Sequence, residues 1–327
     1  MLSTLHEEII VIDGNQINNW DREVFEELSA GGLTCVQATC AVWEDARGAV
    51  GTLGRWFQMF REHDDLIMHV RSVDDIVTAK TVGKVGIVLG FQNASPIEDD
   101  LSLVEVFHRL GIRVMQLTYN IQNHIGASCY EPNDAGLTRF GRAVVREMNH
   151  CGMLVDLSHV GERTSLDVIE LSERPVAITH ANPMWFYPSP RNKSDAVIRA
   201  LADGGGVIGC TVYPNFIGGH ETQLGDFCAM IERLVETIGI EHVAIGTDST
   251  RKCTAEDLSW LRNGRWRFTN GQEPPSWPRW PEWFRSPADF PNITGGLLDR
   301  GFSRHDVEAI MGGNWLRLFK QTFEPMG

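Results

Sequence analysis

The sequence predicts a (β/α)8 barrel, and three observations carry that expectation. Eight short apolar, β-branched runs recur along the chain, and amphipathic stretches of helical period lie between them. Most of the runs are apolar throughout rather than alternating, as strands covered on both faces are. The competing arrangement, a doubly wound open sheet around a dinucleotide, lacks its Gly-x-Gly-x-x-Gly turn after the first run. A length of 327 residues suits one barrel domain spanning residues 1–327.

The elements follow in order. Strands are expected over residues 9–13, 33–38, 85–90 and 114–117, with a helix over 101–110 between the last two. The fifth strand, 153–156, follows a helix over 139–151 whose apolar residues fall at 140, 144, 145 and 148. The sixth, 176–178, follows a helix over 163–171. The seventh, 207–211, follows a shorter one in which Asp195 precedes Val197, Ile198 and Leu201. The eighth, 243–246, follows a helix over 227–238. One segment breaks the rhythm. Residues 250–291 hold Trp260, Trp266, Trp277, Trp280 and Trp283 among six prolines, including Pro274 and Pro275. Following the eighth strand, this insertion belongs at the C-terminal mouth of the barrel, either as a lid or oligomer contact or as a packed surface excursion.

Composition narrows the function. With 29 basic and 43 acidic side chains the net charge is −14, which argues against nucleic acid and against an anionic membrane surface. The start shows no secretory signal and no run of about 18 apolar residues occurs. Seven cysteines without a Cys-x-x-Cys pair read as inert thiols in a reducing cytosol.

In a barrel the polar residues that end strands share one basin. Those residues are Asn15, Gln92, Tyr119 with Asn120, His159, His180 and Asp248. His159 and His180 top neighbouring strands, about 4.8 Å apart, so their imidazoles can share one metal ion. His124, His150 and His242 lack this placement and are read as ordinary hydrogen-bonding residues.

Taken in order, several segments resemble the membrane (renal) dipeptidase family of the amidohydrolase superfamily. They are Val11-Ile12-Asp13-Gly14, Gly90-Phe91-Gln92-Asn93-Ala94, Val155-Asp156-Leu157-Ser158-His159-Val160, Ile178-Thr179-His180-Ala181, Pro190-Arg191-Asn192-Lys193, Ala244-Ile245-Gly246-Thr247-Asp248 and Gly313-Asn314-Trp315-Leu316-Arg317. The resemblance runs through nearly the whole chain. It implies a (β/α)8 barrel, a two-zinc site and hydrolysis of dipeptides with a free C-terminal carboxylate.

The departures from that pattern are informative. The family's first strand ends in His-x-Asp, where this chain has Asn15-Gln16-Ile17; its bridging glutamate falls at Gln92, and a histidine near the substrate falls at Tyr119. His159 and His180, the implied ligands of the second zinc, are present, as are Asp248 for metal and proton handling and Arg191 for the substrate carboxylate. Two divalent ions within ~4 Å of each other would lack bridging negative charge here. The expectation is therefore at most one divalent ion, zinc by preference, on His159 and His180 with Gln92 or Asp248 completing it; an ion-free site is the other arrangement.

The function this implies is a dipeptidase-like hydrolase of a small amide bearing a carboxylate. Asp248 would shuttle the proton, Tyr119 would donate to the oxyanion, and Asn15, Tyr119 and Arg191 would contact substrate. Prolines at 183, 188 and 190 would stiffen the Arg191 loop at the mouth. Two other readings stay open. One is a metal-free isomerase or lyase on the same scaffold. The other is a catalytically silent member that binds a small carboxylate or a partner. Assembly as a homo-oligomer is also open.

Overall fold

The computed structural model describes residues 2–264 and 276–326. Trp266, Pro274 and Pro275 of the insertion lie outside the described residues.

Among the described residues, nine parallel strands make one sheet: β1 (Ile12–Gln16), β2 (Cys35–Ala41), β3 (Ile67–His69), β4 (Val85–Phe91), β5 (Ile112–Gln116), β6 (Leu154–Asp156), β7 (Ala177–Ile178), β8 (Val207–Cys210) and β9 (Val243–Ile245). Their order is β1-β2-β4-β5-β6-β7-β8-β9, with β3 pairing β4 off that path. The eight barrel strands are the eight expected ones. The first starts at Ile12 rather than Ile9, because a helix over Leu2–Glu8 leads straight into it. β3 has only three residues, Ile-Met-His, too short to leave a period in the sequence.

No ladder joins β9 to β1, yet the barrel closes. At the end of β1 and beyond β9, Gln16 bridges Ser249, Ile17 N donates to Ser249 O at 2.9 Å and Asp248 N to Asn15 O at 3.0 Å. Within the seam, the buried Asp13 carboxylate accepts from Thr247 N at 2.7 Å and from Thr247 Oγ1 at 2.5 Å.

Helices wrap the sheet. The longest, Ala46–Glu62, is not among the expected ones: Gly48, Gly51 and Gly54 dilute its helical signal. It forms because Asp45 caps Gly48 N, and Ala49, Leu53 and Trp56 are buried. The interior of the barrel is filled from below. One residue from each barrel strand (Ile12, Cys35, Val88, Val114, Leu154, Ala177, Val207 and Ala244) clusters with Trp315, Leu318, Phe319 and Phe323. The helix Asn314–Thr322 thus plugs the N-terminal end of the barrel, and Trp315 Nε1 donates to Ile245 O at 2.8 Å. Gly14 makes room for the indole: a Cβ there would meet Trp315 Cζ2 at 2.6 Å.

All seven cysteines are free. No helix among the described residues is long and apolar enough to cross a membrane.

Candidate active site

The open end of the barrel carries the polar strand ends, and two buried carboxylates organise them. Asp156, the last residue of β6, accepts from Ser158 N at 3.0 Å, Ser158 Oγ at 2.6 Å and Thr179 N at 2.9 Å through Oδ1, and from Thr179 Oγ1 at 2.7 Å through Oδ2. The chain beyond β6 is thereby tied to the chain beyond β7. This is what brings His159 and His180 together, with their Nε2 atoms 3.2 Å apart.

The outer ring nitrogens settle what those Nε2 atoms are. His159 Nδ1 lies 2.8 Å from Asn120 Oδ1, an acceptor, so Nδ1 carries the proton. His180 Nδ1 lies 2.7 Å from Thr179 Oγ1, whose own proton goes to Asp156, so this Nδ1 is also protonated. Both Nε2 lone pairs then face each other across 3.2 Å. That is unfavourable unless a cation sits between them. A proton is disfavoured there, since burial, and after it the charge of Arg191, holds both imidazoles well below the ordinary histidine pKa. A zinc-sized ion suits the pair: two nitrogens at ~2.0–2.1 Å from one tetrahedral ion stand ~3.3 Å apart. The partners on Nδ1 are the kind that orient metal-binding histidines.

Asp248 comes from the first turn after β9. Its Oδ1 lies 3.9 Å from His180 Nε2. Its backbone is left-handed, φ 57°, as is that of Asn120, also φ 57°. Non-glycine residues held there commonly mark functional positions. Burial raises the Asp248 carboxyl to about 7, opposed by Arg191. A chain of hydrogen bonds runs into this carboxylate. Gln92 Nε2 donates to Thr39 Oγ1 at 3.0 Å, Thr39 Oγ1 to Asn15 Oδ1 at 3.1 Å, and Asn15 Nδ2 to Asp248 Oδ1 at 3.2 Å. Asn15 and Gln92 therefore join the site through Thr39, as a neutral chain of amides and a hydroxyl. Among the described residues no group of three His, Cys, Asp or Glu side chains is arranged to hold a metal ion. The donor set fits one ion on two histidines and does not fit two ions.

Tyr119 covers the pair. Its ring stacks on His159 with centroids 4.2 Å apart and meets Trp43 edge-on at 5.4 Å. Burial, and then Asp248, raises its phenol well above the ordinary value, so it keeps its proton. The site is closed rather than opening on a shared chamber as expected: His159 is 5 % exposed, and Tyr119 and Asp248 are each 8 % exposed. The cover is apolar. Val42, Trp43, Tyr119 and Leu261 cluster, with Ile17, Trp260 and Trp277 packed against them. Leu261 and Trp260 come from the helix Ala255–Asn263, which Thr254 and Asp257 cap. The described start of the insertion therefore lies over the site. A cavity of about 510 Å³ flanks it, lined in part by Ile17, Thr39, Cys253 and Leu261.

Arg191 is the residue whose place departs most from the expectation. It is fully buried instead of presented at the mouth. Its Nη1 donates to Ser158 O at 2.5 Å and its Nη2 to His180 O at 2.6 Å, and the guanidinium lies 5.2 Å from the Phe216 ring. Nε has no partner. Asn192 Nδ2 donates to Tyr187 O at 2.8 Å and Lys193 Nζ to Val160 O at 2.7 Å. Arg191 and Lys193 thus hold main-chain carbonyls beside the two histidines, while Asn192 ties their own loop together.

Thr39, Asn120, Asp156 and Thr179 do work that the sequence reading did not assign. Asp156 and Thr179 stand inside the quoted segments, and Asn120 follows Tyr119, but their bonds depend on which strands are neighbours.

Comparison with known proteins gives the chain's family. The profile of the family described as membrane dipeptidase (peptidase family M19) matches residues 22–261. An uncharacterised dipeptidase of Schizosaccharomyces pombe is 26% identical over 80% of this chain and 59% of its own length. The dipeptidase aclJ of Aspergillus oryzae is 27% identical over 80% of this chain and 58% of its own. The chain thus spans under three-fifths of the length of these relatives. Among solved structures, an amidohydrolase from Pseudomonas aeruginosa superposes with a TM-score of 0.93 at 39% identity, covering 98% of this chain and 99% of that one. The probable dipeptidase PvdM from the same organism, at 19% identity and TM-score 0.81 over 98% and 97% of the two chains, shares the fold. The profile spans well over half of the chain, which therefore belongs to the membrane dipeptidase family, peptidase family M19.

Proposed function

We propose that this protein hydrolyses the amide bond of a small dipeptide-like substrate at a single divalent ion held by His159 and His180. The observation that carries the reading is the pair of Nε2 lone pairs 3.2 Å apart, each fixed by a partner on Nδ1. Family membership supports the reaction class. A bound ion would supply a Lewis acid for the scissile carbonyl and acidify a water molecule.

The protein's own groups do the rest. Asp248, beside His180, accepts the proton of the attacking water and returns it to the leaving nitrogen. Asn15 steadies that carboxylate through its amide. The protonated Tyr119 hydroxyl is the donor for the developing oxyanion. Arg191 fixes the histidine-bearing strand ends through Ser158 O and His180 O; a substrate carboxylate would draw on its unpartnered Nε. The chain is one barrel domain, and the helix Ala255–Asn263, at the described start of the insertion, covers the site and must move for substrate to enter.

The test is turnover of a panel of dipeptides and N-acyl amino acids by zinc-loaded protein, followed by mass spectrometry. Hydrolysis should vanish on chelation and return with added metal. Asp248→Asn should lower kcat by about 10²–10⁴. Turnover that survives both treatments would overturn the reading, and would favour metal-free chemistry on the same scaffold.

A further inference from the structure

The N-terminal end of the barrel, opposite the histidines, holds a second cavity. It is a cleft of about 700 Å³ between the start of β5, the end of the helix Arg139–Cys151 and the chain around Phe323. Arg113, on β5, forms its wall and is 9 % exposed. Its Nε donates to Arg71 O at 2.7 Å, and its Nη1 to His108 O at 2.8 Å and Ile112 O at 3.0 Å. Nη2 has no acceptor among the described residues. His108 Nε2, on the same wall, is buried without a hydrogen-bond partner among the described residues.

The neighbouring acids act on this charge only from a distance, and none pairs with it among the described residues. Glu105 is paired with Arg109 at 2.7 Å. Asp75 Oδ2 takes Arg71 N and Ser72 N, each at 2.9 Å, and Ser72 Oγ at 3.0 Å. Glu324 is exposed at the rim and makes no ion pair with Arg113 or Arg71 among the described residues. Burial, and then the charge of Arg71, lowers the Arg113 pKa to about 10, opposed by smaller contributions from Glu324 and Asp75. A buried guanidinium held only by carbonyls, beside an unpartnered imidazole in a cleft of ligand size, is short of an anion.

We propose that this cleft binds a small molecule through a phosphate or carboxylate group, received by Arg113 Nη2, His108 and Arg71. The volume exceeds that of a bare ion, and Phe323, Pro325 and Cys151 give the rest of the ligand an apolar wall. The site is independent of the hydrolytic reading, being at the other end of the barrel.

The test is calorimetric titration of the full chain, stripped of metal, with phenyl phosphate, benzoate and neutral benzyl alcohol. The account expects one of the two anions to bind with a Kd below about 1 mM and benzyl alcohol not to bind; which anion wins identifies the group. Arg71→Gln, at an exposed position, should weaken that anion about fivefold, and Glu324→Gln should strengthen it by a similar factor. Arg113→Gln should abolish binding; because it frees three carbonyls and can fail to fold, the two exposed variants carry the decision. No binding by the wild type, or binding that neither exposed variant alters, overturns the proposal.

Discussion

Asn120 and Thr179 decide which nitrogen of each histidine faces the other, and so whether the pair can hold an ion. Removing the Asn120 amide leaves His159 free to change tautomer. Asn120→Ala should therefore weaken zinc about 10–100-fold in a competitive chelator titration, with the fold unchanged by circular dichroism. Unchanged affinity would mean that Asn120 has no part in the site. Lys193 offers a second test at this scale. Burial lowers its pKa to about 7, so between pH 7 and ~10.4 the unfolded chain binds a proton that the folded chain does not. Stability gained from this group therefore rises with pH across that window. The difference in unfolding free energy between wild type and Lys193→Met should shift toward the wild type by on the order of 1–3 kcal/mol from pH 7 to 10; a flat difference would contradict the lowered pKa of Lys193. His159, His180 and Asp248 were legible in the sequence because each ends an apolar run. Thr39 and Thr179 were not, nor was the part Asn120 plays, since a hydrogen bond between neighbouring strands leaves no local pattern. The burial of Arg191 was equally hidden: a loop rich in proline reads as exposed, and only the fold shows two carbonyls waiting for its guanidinium.

At the scale of elements, the eight barrel strands were legible because apolar runs of that length have few alternatives. β3 and the glycine-bearing helix Ala46–Glu62 were not, the one for brevity and the other for weak propensity. The seam between β9 and β1 depends on Asp13, which substitutes side-chain bonds to Thr247 for a missing ladder. Asp13→Ala leaves the buried Thr247 N–H and hydroxyl, and Gln16 Nε2, without their acceptor. A loss of about 2–4 kcal/mol is expected in chemical denaturation; a loss below ~0.5 kcal/mol would show that the backbone bonds at Ile17 and Asp248 close the barrel alone.

For the whole molecule, the barrel sets the sidedness: Trp315 and its helix seal one end, and the polar strand ends meet at the other. The resemblance implies two ions, and on the proposed reading the first of them has no ligands here. Asn15, Thr39 and Gln92 fill that place with neutral groups, and Ile17 joins the apolar cover with Trp260 and Leu261. Restoring the missing ligands with Asn15→His, Ile17→Asp and Gln92→Glu should favour a second ion. Without metal the variant should be less stable, because the carboxylate introduced in place of Ile17 would lie against apolar side chains. The central claim, one ion on His159 and His180, is tested most directly by elemental analysis of the wild-type protein after zinc loading and exhaustive dialysis. The account predicts about one zinc per chain, lost in His180→Ala; two per chain, none, or one that survives that substitution would contradict it.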